Sequence, residues 1–254
     1  MIGRRHVPVG KVERNGFRWR GTEVSRLEAL SDAVFGFAIT LLVVSLEAPR
    51  TYAQLMDTMR GFGTFAACFA LLFLVWLHQY RWFRRFGLED GVTILLNALL
   101  LFVIVFFVYP LKFVFGLVVG QLMGLGSVAR LPDGRVVEVF TARGQGASMM
   151  LVFGAGYVAV FLLFALMYGH AYRRRDALEL DEVERYETRD NIRETLLNVA
   201  IGITSMLVSV WLGAQWGGVT YMMTGPAMTV HGFISGAGRK RLDRRLAAER
   251  AASP

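Results

Sequence analysis

The chain has 254 residues, 54% of them hydrophobic, with a formal net charge of +8 and a mean hydropathy of +0.44. A soluble domain of this length does not carry several long, nearly uncharged apolar runs, so composition excludes that class. A single cysteine, Cys68, excludes an intrachain disulfide.

Residues 1–25 form a basic segment containing Arg4, Arg5, Lys11, Arg14, Arg18 and Arg20, with Phe17 and Trp19 as candidate interfacial anchors. No apolar stretch follows these charges until Ala29, and no small-residue cleavage site comes after it. The first apolar run is therefore expected to be retained as a membrane helix. Six runs follow, at 29–46, 61–77, 92–109 with an apolar continuation to 125, 147–167, 196–211 and 217–235. Each is near the ~20 residues that a helix needs to cross a ~30 Å hydrocarbon core. Ala48-Pro49-Arg50 and a short amphipathic stretch join the first two, and a charged turn over 81–90 joins the second to the third. Pro110 is expected to end or kink the third helix.

The largest extracytoplasmic insert lies at about 124–146, where Pro132-Asp133-Gly134 reads as a turn followed by a short alternating strand, a small hairpin. Residues at about 171–194 are dense in both charge signs and read as a helical cytoplasmic connector. Residues 237–254 form a basic tail. The predicted fold class is an all-α polytopic membrane protein with six transmembrane helices per subunit, the membrane domain spanning 26–236.

Positive charge is concentrated before the first run, after the second, between the fourth and fifth, and after the sixth. The excess of Lys and Arg on one side predicts both termini in the cytoplasm and a multi-pass protein of the cell (inner) membrane. Membrane topology thus accounts for the basic tails without a nucleic-acid partner, and anionic lipid headgroups are their expected secondary contact. His6, His170 and His231 show no metal-ligand spacing, and no phosphate loop or nucleophile motif is present. Nothing here suggests an enzyme or a cofactor.

The most informative stretch opens the first helix: Arg26-Leu-Glu-Ala-Leu-Ser-Asp32, then an apolar run. Ionisable groups at the mouth of a membrane helix are costly and tend to be functional. Advancing ~100° per residue places Arg26, Ala33, Phe37, Thr40 and Val44 on one stripe, bordered by Leu41. Were copies of this helix to surround an axis, Phe37, Thr40 and Val44 would form stacked rings. Apolar rings close a pore by dewetting, and a hydroxyl ring partly replaces an ion's water. The same stripe also suits packing against a neighbouring helix. Three functions stay open on the residues alone: a cation channel, a secondary transporter or proton-coupled exchanger, and a non-conducting membrane scaffold. No long-range internal repeat supports the second.

The pattern Arg26-x-x-x-Leu30-Ser31-Asp32, followed by Ala-Val-Phe and Ile39-Thr40-Leu41-Leu42, resembles the first-helix signature of the transmembrane protein 175 potassium channel family, bacterial branch. That signature reads Arg-x-x-x-Phe-Ser-Asp, so Leu30 replaces an aromatic. The resemblance continues in Trp76-Leu-His78, in Asn97-Ala-Leu-Leu-Leu-Phe and in Tyr109-Pro110. It implies a homotetramer with the first helices around a central pore that conducts potassium and other monovalent cations without a carbonyl-loop filter. By position, the innermost constriction falls on Phe37, where leucine or isoleucine is usual, the hydroxyl layer on Thr40 and a further apolar ring on Val44. Arg26, Ser31 and Asp32 are then expected to act structurally. Arg26 would pair with a carboxylate, while Ser31 and Asp32 bond His78, Trp76 or Asn97. A dipole-favoured carboxylate for Asp32, a headgroup-level histidine for His78 and a simple interhelical contact for Asn97 are the alternatives.

Overall fold

The structure is a computed structural model and describes residues 11–13, 15–44, 50–122, 124, 128–130, 135–142 and 144–252. Its helices are α1 (Arg26–Val44), α2 (Tyr52–Arg60), α3 (Phe62–Phe86), α4 (Gly91–Leu122), α5 (Gln145–Arg173), α6 (Glu182–Leu212), α7 (Ala214–Met222) and α8 (Thr224–Ala252). Five of them, α1, α3, α4, α5 and α6, are long and apolar enough to cross a membrane. The apolar helix α4 is central and packs against α1, α3 and α5, while α5 and α6 form the most extensive pair. Between α4 and α5, β1 (Val128–Arg130) and β2 (Val136–Glu138) pair antiparallel, as the alternating pattern of the insert predicts. The turn Pro132-Asp133-Gly134 lies outside the described residues, as do Ala48 and Pro49.

Several boundaries differ from the predicted runs, α6 for instance starting at Glu182 rather than at 196. The second helix does not stop at Leu77 but continues nine residues, to Phe86. The extension is held because Trp82, Phe83 and Phe86 are buried, so the expected charged turn over 81–90 shrinks to residues 87–90. The third helix passes through Pro110 to Leu122, rather than ending there. A long apolar helix embedded among neighbours tolerates the one hydrogen bond that proline removes.

The sixth run is not one helix. α7 ends at Met222 and α8 starts at Thr224, and neither qualifies as a span by length and apolarity. Pro226 has no N–H to offer the carbonyl of Met222, which explains the break. α7 and α8 nevertheless run back along α6. Ser205 donates to the Gly217 carbonyl at 2.8 Å, Tyr157 and Asn198 meet beside Met228, and Tyr186 donates to the Ser235 carbonyl at 2.8 Å. Positions rising along one element meet positions falling along the other, so the pair is antiparallel. α8 thereby returns to the end of the bundle where α6 began.

That end is basic and tightly organised. Residues 11–20 fold on themselves through a bridge between Val12 and Arg18, with Gly16 at φ 85°. Phe17 is fully buried, edge-on to Phe86 at 5.6 Å, with the Arg85 guanidinium 4.7 Å from its centroid. It is therefore a core residue and not the interfacial anchor that its exposed-looking context suggests. Arg18 and Arg20 converge on Glu184 at 2.9 and 2.6 Å, and Glu13 pairs with Arg85 at 2.7 Å. Arg239 of α8 joins by donating to the Asn15 carbonyl and to Glu187. The backbone N–H groups of Arg20 and Gly21 both donate to the carbonyl of Arg84, capping the end of α3. Only glycine fits that crossing, since a Cβ on Gly21 would lie 2.6 Å from the Phe83 carbonyl oxygen.

Asp90 closes the same end by capping α4. Its carboxylate accepts from the Thr93 N–H at 2.9 Å and meets His170 at 2.7 Å and Arg174 at 3.3 Å. Burial pushes this carboxyl up, but the N–H and hydroxyl of Thr93 and the ring of His170 outweigh it and bring it down to about 2. A depressed carboxylate stabilises the fold above its unfolded value and loses that contribution as pH falls through its folded value. The melting-temperature deficit of Asp90→Asn is expected to be constant from about pH 5 to 8 and to shrink as the medium is acidified toward pH ~2. Phe17→Ala is expected to cost about 3 kcal/mol by removing a fully buried aromatic. Thermal melting monitored by size-exclusion fluorescence measures both.

Candidate pore helix and its buried relay

α1 buries one side only. Glu28, Ser31, Phe35, Ala38 and Leu42 are buried at i, i+3, i+7 spacing and face α3 and α4. Ala33, Phe37, Thr40 and Val44 are all exposed on the subunit, Phe37 at 57% and Val44 at 71%. At ~100° per residue the two stripes are roughly 160° apart. Leu41 is half-buried against the core and sits at the border of the open face. The packing of this subunit thus leaves the predicted stripe uncovered. The Thr40 hydroxyl donates to the Gly36 carbonyl at 2.8 Å. With its proton committed to the helix, the oxygen's lone pairs are turned outward, the polarity that a cation needs.

The signature residues separate into two contacts. Trp76 Nε1 donates to Asp32 at 2.7 Å, on the exposed side. Behind it runs a buried relay: Gln79 donates to the Asn97 side-chain oxygen, Asn97 Nδ2 to Ser31 Oγ at 3.0 Å, and Ser31 Oγ to the Leu27 carbonyl at 2.8 Å. Gln79, Asn97 and Ser31 are each no more than 2% exposed. Asn97 and Ser31 each give and receive, and Gln79 gives, so the three buried side chains are tied to one another within the apolar interior.

Two expected members stand elsewhere. His78 lies outside the relay with its ring 5.8 Å from Phe164 of α5. Arg26 is exposed and makes no ion pair with another described residue; the arginine–carboxylate pair at this end of α1 is supplied instead by Arg84 of α3. There Glu28 binds Arg84 of α3 at 2.6 Å, with both side chains less than 10% exposed, and Arg84 also donates to the carbonyls of Gly21 and Glu23. Sequence reasoning missed Glu28, Arg84 and Gln79. A signal existed for two of them: Glu28 is three residues from Ser31, and Gln79 seven from buried Leu72, each on the packed face of its helix. A buried pair of this kind contributes little net stability but enforces one alignment, because separating it strands a charge.

The model of the family described as "Endosomal/lysosomal potassium channel TMEM175" matches residues 26–107, from the first signature residue into the middle of α4. A potassium channel of Marivirga tractuosa is 36% identical over 235 residues, covering 89% of this chain and 93% of the relative. A potassium channel of Chamaesiphon minutus is 23% identical over 202 residues, covering 75% and 88%. Among solved structures, a threonine-to-alanine variant of the potassium channel MtTMEM175, crystallised with a Nanobody-MBP fusion protein, superposes with a TM-score of 0.76 at 33% identity. That match covers 89% of this chain and all of the other.

Asn97→Leu removes the middle of the relay and leaves both Gln79 and Ser31 without their partner. The expected cost is about 2 kcal/mol, against a cost near zero for Leu95→Ala on the exposed face of the same helix. Melting curves of the two purified variants in one detergent supply the comparison.

Proposed function

Because this chain belongs to the TMEM175 potassium channel family, a family of membrane channels that pass ions without catalysing a reaction, we propose that α1 lines its potassium pathway. Four copies place their α1 helices around one axis. Phe37 forms the innermost constriction, Thr40 a hydroxyl layer and Val44 a second apolar ring, with Leu41 at the flank. The observation that carries this reading is the uncovered Ala33, Phe37, Thr40 and Val44 stripe, opposite the face buried by Ser31, Phe35 and Ala38. A ring of apolar side chains holds the pathway shut by dewetting, and the Thr40 oxygens replace part of the shell of an ion that has entered. The signature residues serve positioning. Asp32 with Trp76, and Ser31 with Asn97 and Gln79, set the rotation of α1 so that Thr40 faces the axis.

The sixth crossing consists of α7 and the first half of α8 together. From Ala214 to Ser235 the two cover about 33 Å of rise, enough for the ~30 Å core. The basic end, which carries residues 11–25 and the far half of α8, faces the cytoplasm of a cell membrane. The broken sixth run is also the feature that a coupled transporter would use. Between 213 and 230, on both sides of the break, there is no Asp, Glu, Lys, Arg or His; the first such group of the crossing is His231, 3.4 Å from Asp190.

Potassium flux into liposomes containing the purified protein tests the reading. Phe37→Ala is expected to raise basal potassium leak by widening the constriction. Thr40→Ala removes a ligand worth about 1 kcal/mol and lowers potassium-over-sodium preference about fivefold. Wild-type rates and ratios in both variants would remove α1 from the pathway. Flux that saturates and requires a proton gradient would favour the transporter.

A further inference from the structure

Along α3 the rings of Phe62, Phe65, Phe69, Phe73, Trp76 and Tyr80 succeed one another at 5.3–6.3 Å between centroids. Phe69 and Phe73 are parallel to within 6°, and Trp76 stacks on both neighbours. Phe62, Phe69 and Phe73 are 39–59% exposed. The rise from Phe69 to Tyr80 is about 17 Å, close to the half-thickness of a hydrocarbon core. At its basic end the ladder turns a corner, because Tyr80 meets Trp19 of the N-terminal segment edge-on at 6.1 Å. There a cavity of about 420 Å³ opens, lined by Glu13, Asn15, Trp19, Tyr80, Arg81 and Arg85.

The charge balance of this cavity is uneven. Glu13 and Arg85 neutralise each other at 2.7 Å. Arg81 is exposed and makes no ion pair or hydrogen bond with another described residue. Lys11 does not line the cavity, although its ammonium lies 5.7 Å from the centroid of the Trp19 ring that does. An apolar track one leaflet long thus ends in a concave, net-cationic, aromatic-rimmed pocket.

We propose that this juxtaposition is a binding site for one anionic glycerophospholipid, its phosphate in the pocket against Arg81 and an acyl chain along the Phe69–Tyr80 side of α3. Charge complementarity selects the anionic headgroup, and the matching length of the track selects a lipid over a free phosphate. The lipid would lie beside the Trp76–Asp32 hydrogen bond, so the site adjoins α1 without depending on the role of α1 in conduction.

Brominated lipids test this directly, because bromine quenches a tryptophan only at close range. Trp211→Phe and Trp216→Phe remove the two exposed tryptophans at the other end, and Trp82 is fully buried, leaving Trp19 and Trp76 as reporters. In mixed micelles, brominated phosphatidylglycerol is expected to quench at a mole fraction about fivefold lower than brominated phosphatidylcholine. Arg81→Gln should abolish that preference and Arg81→Lys should keep it. Arg81 is exposed, so both variants are expected to elute as wild type does. Identical curves for the two lipids, or a preference that survives Arg81→Gln, would mean bulk lipid only. Loss of the preference in millimolar inorganic phosphate would mean that the headgroup pocket acts without the ladder. No quenching by either lipid would mean that another subunit covers α3. Each of these outcomes overturns the proposal.

Discussion

A polar side chain inside a membrane helix bundle has no water to fall back on, and that constraint orients α1. Ser31, Asn97 and Gln79 are all but inaccessible, and each has one set of partners that satisfies it. Rotating α1 by even a fraction of a turn would break the Asn97–Ser31 contact and strand groups on three helices. Apolar packing by Phe35, Ala38 and Leu42 tolerates small rotations, because one aliphatic surface is much like another. The relay does not. It converts a helix with weak amphipathicity into one with a defined inner and outer face.

The basic end supplies a second, independent hold. Arg84 reaches Glu28 on α1 and the backbone at Gly21 and Glu23, while Arg85 holds Glu13 from the next position along α3. Residues 11–21 are tied through Glu184 to α6 and through Asn15 to α8. The mouth of α1 is therefore linked to three other helices before it enters the apolar layer. Any movement of α6 or α8 relative to α3 has a covalent and ionic route to α1, a route built from polar contacts rather than from the fluid packing of the spans. It also explains why so many arginines lie here. Arg18, Arg20, Arg84, Arg85 and Arg239 are each partnered by a carboxylate, while Arg26 and Arg81 stay exposed without an ion pair to another described residue.

Much of this was legible in the residues. Length and apolarity marked six spans, five of which are single helices long and apolar enough to cross a membrane, and the Arg26–Asp32 signature marked the start of the segment that the family model matches. The pairing of β1 with β2 in the insert followed from the Pro132-Asp133-Gly134 turn signal and the alternating residues after it. Other features were not, for identifiable reasons. Phe17 sits among arginines and reads as surface until Arg85 and Arg20 are seen to stack on it. The extension of α3 beyond Leu77 looks like a polar loop, because three arginines interrupt it. It is helical because burial of Trp82, Phe83 and Phe86 beneath the N-terminal segment outweighs their charges. Pro110 and Pro226 behave oppositely although both lie in apolar runs. Continuous neighbours support α4 on several sides, while α7 has α6 and α5 and a Gly-Pro pair at its end.

Hydropathy and one motif thus determined the class of the molecule, its main spans and the open stripe of α1, since periodicity on a single helix requires only the order of its residues. Partner choice came from the tertiary structure alone. Whether Ser31 meets Asn97 or His78, whether Arg84 or Arg26 pairs with a carboxylate at the mouth of α1, and where the N-terminal segment docks depend on relative rotation and height of separate helices. Those quantities are set by many weak packing contacts acting together, and no local run of residues encodes them.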